Sequence, residues 1–430
     1  MNDQANTATL REHPLVGQSL SGADTVVQVM ADEGVETIFG YSGGAILPIY
    51  DAVFRYNDRH KSADGRSPMP LVVPANEQGA GFMAAGYARA SGKVGVAMVT
   101  SGPGATNMVT PVRDSMADSV PMVVICGQVP MAAIGTDAFQ EAPVSAIMGA
   151  VAKHIFLVTD AEQLEATMRS AFELARTGRP GPVVVDIPKD IQNWEGAFKG
   201  HGSLPLHGYR RRLAKVEENV LSDGACERFF TMLSESERPL IYAGGGVINA
   251  NATKAMRRLA NEYGIPVTTT LMALGASDTT HPLAMHMLGM HGIASANYAV
   301  EDCDFLIAVG ARFDDRVAGN PGQFAPSAKN IAHFDVDFAE IGKVKRVNWH
   351  HVGMLERDLT DMLAYGRRIK FAKSFDQWHE EIAGLKSDYA LNYDRNSDLI
   401  QPYAVIEEIN KHSKGEAIIA TGVGQHQMWA

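Results

Sequence analysis

Short runs that are apolar throughout, each closed by a glycine- or proline-rich turn, recur along most of this 430-residue chain. That recurrence limits the available folds more than any other feature. A half-exposed strand alternates apolar and polar residues. A wholly apolar strand needs cover on both faces, the condition of a parallel sheet between two helical layers. The first series spans about 22–192 and reads VETIFGY (35–41), MPLVVPA (69–75), VGVAMVT (94–100), PMVVICG (121–127) and RPGPVVVDIP (179–188). Helical patterns lie between, AILPIYDAVFRY (45–56) and GAGFMAAGYARASG (79–92), the latter ending at Gly92. A second series runs through RPLIYAGGGV (238–247), IPVTTTLMALG (265–275), CDFLIAVGARF (303–313) and NIAHFDVD (330–337). The expected fold class is α/β, built as successive doubly wound parallel-sheet domains.

The chain is too long for one ordinary core. The pattern predicts an arm (1–21), an N-terminal domain (22–192), a Gly-, Pro- and Arg-rich linker (193–220) and a central domain (221–360). A charged helical connector (361–414) follows, and EAIIATGVGQHQMWA within 415–430 reads as the strand and turn that begin an incomplete third domain. The 41 glycines exceed average usage, and many follow the apolar runs, as βα turns require. No short-period repeat occurs.

A net charge of −11 argues against a nucleic-acid groove, which needs clustered Lys and Arg. Three scattered cysteines (Cys126, Cys226, Cys303) suit reduced thiols and no zinc spacing. The N-terminus is polar and without an apolar core segment, and no run of about 18 apolar residues occurs. The expectation is a cytoplasmic protein with no membrane or nucleic-acid partner.

One carboxylate is oddly placed. Glu77 follows the apolar run that ends at Pro74 and opens a helix lined by Gly79, Ala80, Gly81, Ala84 and Ala85. Such small residues admit another backbone or a flat ligand, and partial desolvation would raise the acid's pKa so that it could share a proton with a ring nitrogen. The plain alternative is a helix N-terminal acid favoured by the macrodipole, worth under about 1 kcal/mol, and spacing alone does not choose. VAMVTSGPGATN (96–107) is a strand, a Gly-Pro-Gly turn and a helix start: an anion or polar-ligand site, or simply a tight loop that needs glycine. YAGGGVINA (242–250) has the same grammar without being G-x-G-x-x-G. GARFDDRVAGN (310–320) packs Arg312, Asp314, Asp315 and Arg316 at a strand's carboxyl end, and Asp335 and Asp337 end another strand. The alternatives are a solvated, self-paired charge cluster for the first and a pair of solvated strand-end acids for the second.

Taken in order, the motifs stop being independent. FGYSGGAILPIYDA (39–52), NEQGA (76–80), VTSGPGATN (99–107), GQVPMAAIGTDAFQE (127–141) and TGRPGPVVVDIPKD (177–190) precede AGGGV (243–247), TLMALG (270–275), GARFDDRV (310–317) and VGQHQMW (423–429). Over nearly the whole chain from about residue 20 they resemble the large, catalytic subunits of acetolactate synthase (acetohydroxyacid synthase), in the thiamine-diphosphate-dependent enzyme superfamily. GTDAFQE and VGQHQMW are the more specific motifs.

The resemblance implies a thiamine-diphosphate-dependent decarboxylation of pyruvate and condensation with a second 2-keto acid, pyruvate or 2-ketobutyrate, in valine, leucine and isoleucine biosynthesis. It implies that Glu77 bonds the aminopyrimidine of the cofactor and that Gly43, Gly44 and Ala45 form the turn lying against that ring. Phe139 and Gln140 match residues near substrate and thiazolium, Lys189 and Lys153 basic positions near the substrate entrance, and Gln425 and His426 residues near the diphosphate. Arg179, Gly244, Gly245, Gly246, Thr270, Leu271, Met272, His291, Arg312, Asp315, Arg316 and Asp335 match a site for FAD, expected to be structural. A homodimer or higher homo-oligomer and a small regulatory subunit are the implied partners.

Ser42, Asn76 and Gly422 depart from the family pattern, where Pro, His and Asp are usual. The family holds Mg²⁺ and the diphosphate through a G-D-G motif and a downstream Asn-Asn; these 430 residues contain no G-D-G, so no metal ligand is assigned and this chain alone is expected to be inactive. Competing readings are a related carboligase of the glyoxylate carboligase or sulfoacetaldehyde acetyltransferase type, a non-catalytic FAD-binding relative, or a split enzyme with its third domain on another chain.

Overall fold

In the computed structural model, which describes residues 13–430, the chain divides after Leu213 into two units. The division falls inside the expected linker, which is not structureless: Glu195–Ala197 is a strand and His207–Glu218 a helix.

The first unit holds strands β1 (Ser19–Ser21), β2 (Ile38–Tyr41), β3 (Leu71–Val72), β4 (Gly95–Val99), β5 (Met122–Gln128), β6 (His154–Leu157), β7 (Pro182–Pro188) and β8 (Glu195–Ala197). Six of them form a wholly parallel sheet in the order β3-β2-β4-β5-β7-β6. Strands β4, β5 and β7 are buried at every residue, as their unbroken apolar runs require. Part of the expected N-terminal arm is built in, since β1 pairs antiparallel with β8. The helix Glu77–Ser91 shows why the sequence starts and stops it there. Asn76 caps it, its Oδ1 accepting the Gly79 N–H at 2.8 Å, and Gly92 ends it in the left-handed region at φ 71°. The unusual Asn76 is therefore an effective N-cap.

The second unit repeats the architecture with β9 (Pro239–Ala243), β10 (Val267–Thr269), β11 (Ala284–Met287), β12 (Phe305–Val309), β13 (Asn330–Asp335) and β14 (Trp349–Val352), in the order β11-β10-β9-β12-β13-β14. Its core centres on Phe229, whose ring meets Phe230, Phe305, Phe334 and Trp349 at centroid distances of 5.5–5.9 Å. Three helices follow, Leu355–Arg368, Asp376–Asp388 and Pro402–Ser413. The strand expected at the start of 415–430 does not form. Ile418 and Val423 stand almost fully exposed, and only the short helix Gln425–Trp429 is regular. A strand exists by its ladder partner, and none among the described residues lies alongside. Among the described residues no helix is long and apolar enough to cross a membrane.

Candidate active site and cofactor cradle

Both sheets have a switch point, where successive connections leave in opposite directions. In the first the chain passes from β2 out to β3 and returns to β4 on the other side of β2. Ligands of doubly wound sheets bind in the crevice this opens at the carboxyl ends of the strands. The turn after β2 carries Ser42, Gly43, Gly44 and Ala45, and the turn after β4 carries Thr100, Ser101 and Gly102. Thr100 joins them, its Oγ1 accepting the Ala45 N–H at 3.2 Å. A Cβ on Gly43 would lie 2.4–2.7 Å from the Thr100 side chain, so that position must be glycine, whereas one on Gly44 would meet nothing within 4 Å. Gln192 Nε2 fixes the same turn by donating to Ala45 O at 2.8 Å.

Glu77 arrives from beyond β3 and is buried at this crevice, 9 % exposed. Its Oε2 accepts the Asn107 Nδ2 hydrogen at 2.8 Å, and a Cβ on Gly104 would stand 3.6 Å from Oε1. The carboxylate therefore faces the Gly-Pro-Gly turn. That turn is of type II′: Gly102 has φ 55° and ψ −114°, and the Gly104 N–H returns to Ser101 O at 3.1 Å. Close by, the buried Tyr50 hydroxyl donates to Met98 O at 3.1 Å, and burial followed by the Glu77 charge pushes its pKa up. Asn107, Thr100 and Tyr50 escaped the sequence reading. The helix-start motif SGPGATN held the signal for the first two, but nothing local tied Asn107 to an acid thirty residues away.

Over the turn passes the strap of residues 129–142. Gln140 sits at φ +58°, its carbonyl against Gly102, where a Cβ would come within 2.4 Å. Phe139 beside it is 88 % exposed. Glu141, unremarked in the sequence, organises the strap from within, accepting the N–H groups of Gly135 and Ala138, and these hold its carboxyl below the usual range. Lys189, half-buried, opens the helix that leaves β7 at the same end of the sheet.

Two of the expected residues lie at the other end of the first sheet. Lys153 and Arg179 precede β6 and β7 and therefore lie at the amino ends of the strands, opposite Glu77. Lys153 Nζ donates to the carbonyls of Leu174, Thr177 (2.8 Å) and Arg179 (2.7 Å). In this unit the ammonium closes a helix end through those carbonyls, on the far side of the sheet from Glu77. Arg179 Nε donates to Ser119 Oγ at 2.9 Å and belongs to the first unit, whereas the other residues expected around the flavin belong to the second.

In the second unit the switch point lies between β9 and β12. Gly244, Gly245 and Gly246 leave β9 and meet Gly310 leaving β12. The Gly246 N–H reaches Gly310 O at 3.0 Å, and a Cβ on Gly244 would fall 2.2 Å from that oxygen. Gly310, at φ 56°, would carry a Cβ 2.7 Å from Gly246 Cα. Thr270, Leu271 and Met272 follow β10, and Thr270 Oγ1 is buried without a partner among the described residues. Arg312, Asp315 and Arg316 follow β12, Arg316 pairing with Asp315 at 3.1 Å, and Asp335 ends β13. His291 is exposed in the turn after β11. The carboxyl ends of four strands thus converge on bare backbone and polar groups, a cradle that admits a dinucleotide. Gln425 and His426 are exposed on the short helix Gln425–Trp429. Among the described residues no cluster of three His, Cys, Asp or Glu could hold a metal.

Comparison with known proteins agrees with this geometry. The family described as "Thiamine pyrophosphate enzyme, N-terminal TPP binding domain" matches residues 20–148, and "Thiamine pyrophosphate enzyme, central domain" matches 226–362. The acetolactate synthase large subunit of Corynebacterium glutamicum is 43% identical over 427 residues, 99% of this chain and 65% of the relative. The chloroplastic acetolactate synthase of Arabidopsis thaliana is 43% identical over 421 residues, 96% of this chain and 59% of the relative. Acetolactate synthase 1 of Zea mays, also chloroplastic, is 44% identical over 414 residues, 95% of this chain and 62% of the relative. The chain thus spans less than two thirds of the length of these relatives. Buried acid, glycine-lined turns and paired switch points all lie within the matched regions, and the chain belongs to the thiamine pyrophosphate enzymes as a homologue of acetolactate synthase large subunits.

Proposed function

We propose that this chain forms the pyrimidine-binding and flavin-binding parts of an acetolactate synthase catalytic subunit, which decarboxylates pyruvate and joins the two-carbon unit to a second pyruvate or to 2-ketobutyrate. The observation that carries this reading is Glu77, buried at the first switch point between glycine turns and held by Asn107. A carboxylate there can accept a proton from, or share one with, a ring nitrogen. The bare turn at Gly43, Gly44 and Ala45 leaves room for a flat ring, and Phe139 and Gln140 on the strap face substrate. Lys189 adds a positive charge for a keto-acid carboxylate. Thiamine diphosphate, when bound, supplies the electron sink for decarboxylation.

The second cradle suits FAD in a structural role, with Gly244, Gly245, Gly246 and Gly310 keeping backbone exposed to its phosphates and Asp335 placed for a hydroxyl. Mg²⁺ and the diphosphate would be held by a third domain, in the part of the relatives' length that this chain does not span, with Gln425 and His426 near the diphosphate. Leu47, Phe54, Phe82 and Met83 stand exposed on the helices Leu47–Arg59 and Glu77–Ser91, and they support a homodimer that pairs these faces. A small regulatory subunit and a cytoplasmic site of action complete the reading.

Acetolactate formation from pyruvate by the holoenzyme, supplied with thiamine diphosphate, Mg²⁺ and FAD, tests it. Glu77→Gln should lower the rate by about 10²–10⁴-fold with folding intact. A Glu77→Gln enzyme as fast as its parent, or a keto-acid panel in which glyoxylate or sulfoacetaldehyde outcompetes pyruvate, would refute the proposal.

A further inference from the structure

The strap of residues 129–142 holds one three-residue turn of helix and otherwise has no regular structure, yet it carries Phe139 and Gln140. One buried side chain ties its two ends together. Gln128, 3 % exposed at the end of β5, accepts the Val129 N–H through Oε1 at 2.8 Å and donates from Nε2 to Ala142 O at 3.3 Å. The amide makes both bonds in only one orientation, since a flip would set oxygen against the Ala142 carbonyl and nitrogen against the Val129 N–H. Asp186 on the adjacent β7 reinforces that orientation, its Oδ2 accepting from the same Nε2 at 3.0 Å, shorter than the bond to Ala142. Asp186 is 1 % exposed, and its Oδ1 has no hydrogen-bond partner among the described residues. A buried acid with an unused oxygen needs a reason to be there.

We propose that Asp186 is a positioning residue: by orienting Gln128 it clamps both ends of the strap and so sets where Phe139 and Gln140 stand over the Gly-Pro-Gly turn. The functional meaning of the clamp rests on the reading of the strap as the substrate-facing part of the site; the clamp itself does not. Burial pushes the Asp186 carboxyl up to about 7, and with Oδ2 accepting from Gln128 the proton belongs on Oδ1. The titratable neighbour facing it is Cys126 on β5, whose thiol burial keeps un-ionised. Met131 N–H donating to Asp190 Oδ1 at 3.1 Å is a second, independent anchor, so loss of the clamp loosens the strap without unfolding the sheet.

The test compares Asp186→Leu, which removes the acceptor, with Asp186→Asn, which keeps one, and with Gln128→Met, which deletes the clamp and still reports if Asp186→Leu fails to fold. Amide hydrogen exchange of residues 131–141 in the purified chain should quicken by about tenfold or more in Asp186→Leu and Gln128→Met, with β4 and β5 unchanged. Asp186→Asn should stay close to the parent. In the holoenzyme the two loosened variants should raise KM for pyruvate by about tenfold while kcat falls less. Unchanged strap exchange in both of them, or equal loosening in Asp186→Asn, would overturn the proposal. Loosened exchange in a holoenzyme that makes no acetolactate would support the clamp and refute the functional reading instead.

Discussion

Gly102→Ala perturbs the candidate site at its tightest point, and its cost can be worked from the backbone. Position two of a type II′ turn at φ 55° and ψ −114° is open to glycine and strained for any L-residue, by about 1–3 kcal/mol. The added Cβ would also lie 2.4 Å from Gln140 O, 2.8 Å from its carbonyl carbon and 2.9 Å from its Cα. These are backbone atoms and cannot swing aside as a side chain can, so relief requires one of the two segments to move. The turn is held between the buried strand β4 and the helix Pro103–Asn107 and by the Gly104 to Ser101 hydrogen bond, whereas the strap has only Val129 buried and Gln140 at φ +58°. The strap is the softer partner. The expected result is a fall in global stability of about 1–3 kcal/mol from the turn alone, with the steric part released by lifting residues 135–141. Urea titration reads the first quantity and hydrogen exchange along the strap the second. Gly44→Ala is the control: its Cβ meets nothing within 4 Å, so the fold should be unaffected while affinity for thiamine diphosphate drops. A Gly102→Ala protein within about 0.5 kcal/mol of its parent, with an unchanged strap, would refute the reasoning.

Two further outcomes follow from groups buried in the first unit. Asp186 titrates near 7 when folded against an ordinary value of 3.8, so between these values the folded state binds the extra proton. Stability should fall as pH rises through that window and level off above it, by about 4 kcal/mol in total at 1.36 kcal/mol per unit. Asp186→Asn should flatten that part of the slope when urea midpoints are compared at pH 5 and 8; an identical slope in parent and variant would count against a buried, raised carboxyl. Lys153→Met leaves the carbonyls of Leu174, Thr177 and Arg179 short of a donor and should cost about 2–4 kcal/mol in thermal or urea unfolding. Thiamine diphosphate affinity should be unchanged in that variant, and a selective loss of cofactor or substrate binding would return Lys153 to the site.

Much of the architecture could be read from local sequence because the physics there is local. Asn76 and Gly92 bound their helix by capping chemistry that needs no tertiary partner, and β4, β5, β7, β9 and β12 announce themselves as apolar runs because central parallel strands are covered on both faces. The edge strands β6, β11 and β14 escaped notice: an edge is half covered and short, so HIFL, AMHM and WHHV carry no distinctive pattern. The opposite error occurred at EAIIATG, where β-prone residues form no strand without a ladder partner. The candidate site divides in the same way. Glu77 and the glycine turns were visible because small residues around an acid are unusual in any segment.

What the sequence alone determined is which segments are the covered central strands and the capped helices, and which residue types crowd the turns between them. Only the tertiary structure decided which ends meet. Crossing of connections at β2/β4 and at β9/β12 brings Glu77 to Asn107 and Gly246 to Gly310, and the register of β5 on β7 sets Gln128 beside Asp186. The same topology sends Lys153 to the opposite end of the sheet. In a parallel sheet every carboxyl end faces one way and every amino end the other, so a residue's place before or after its strand decides whether it can reach the site.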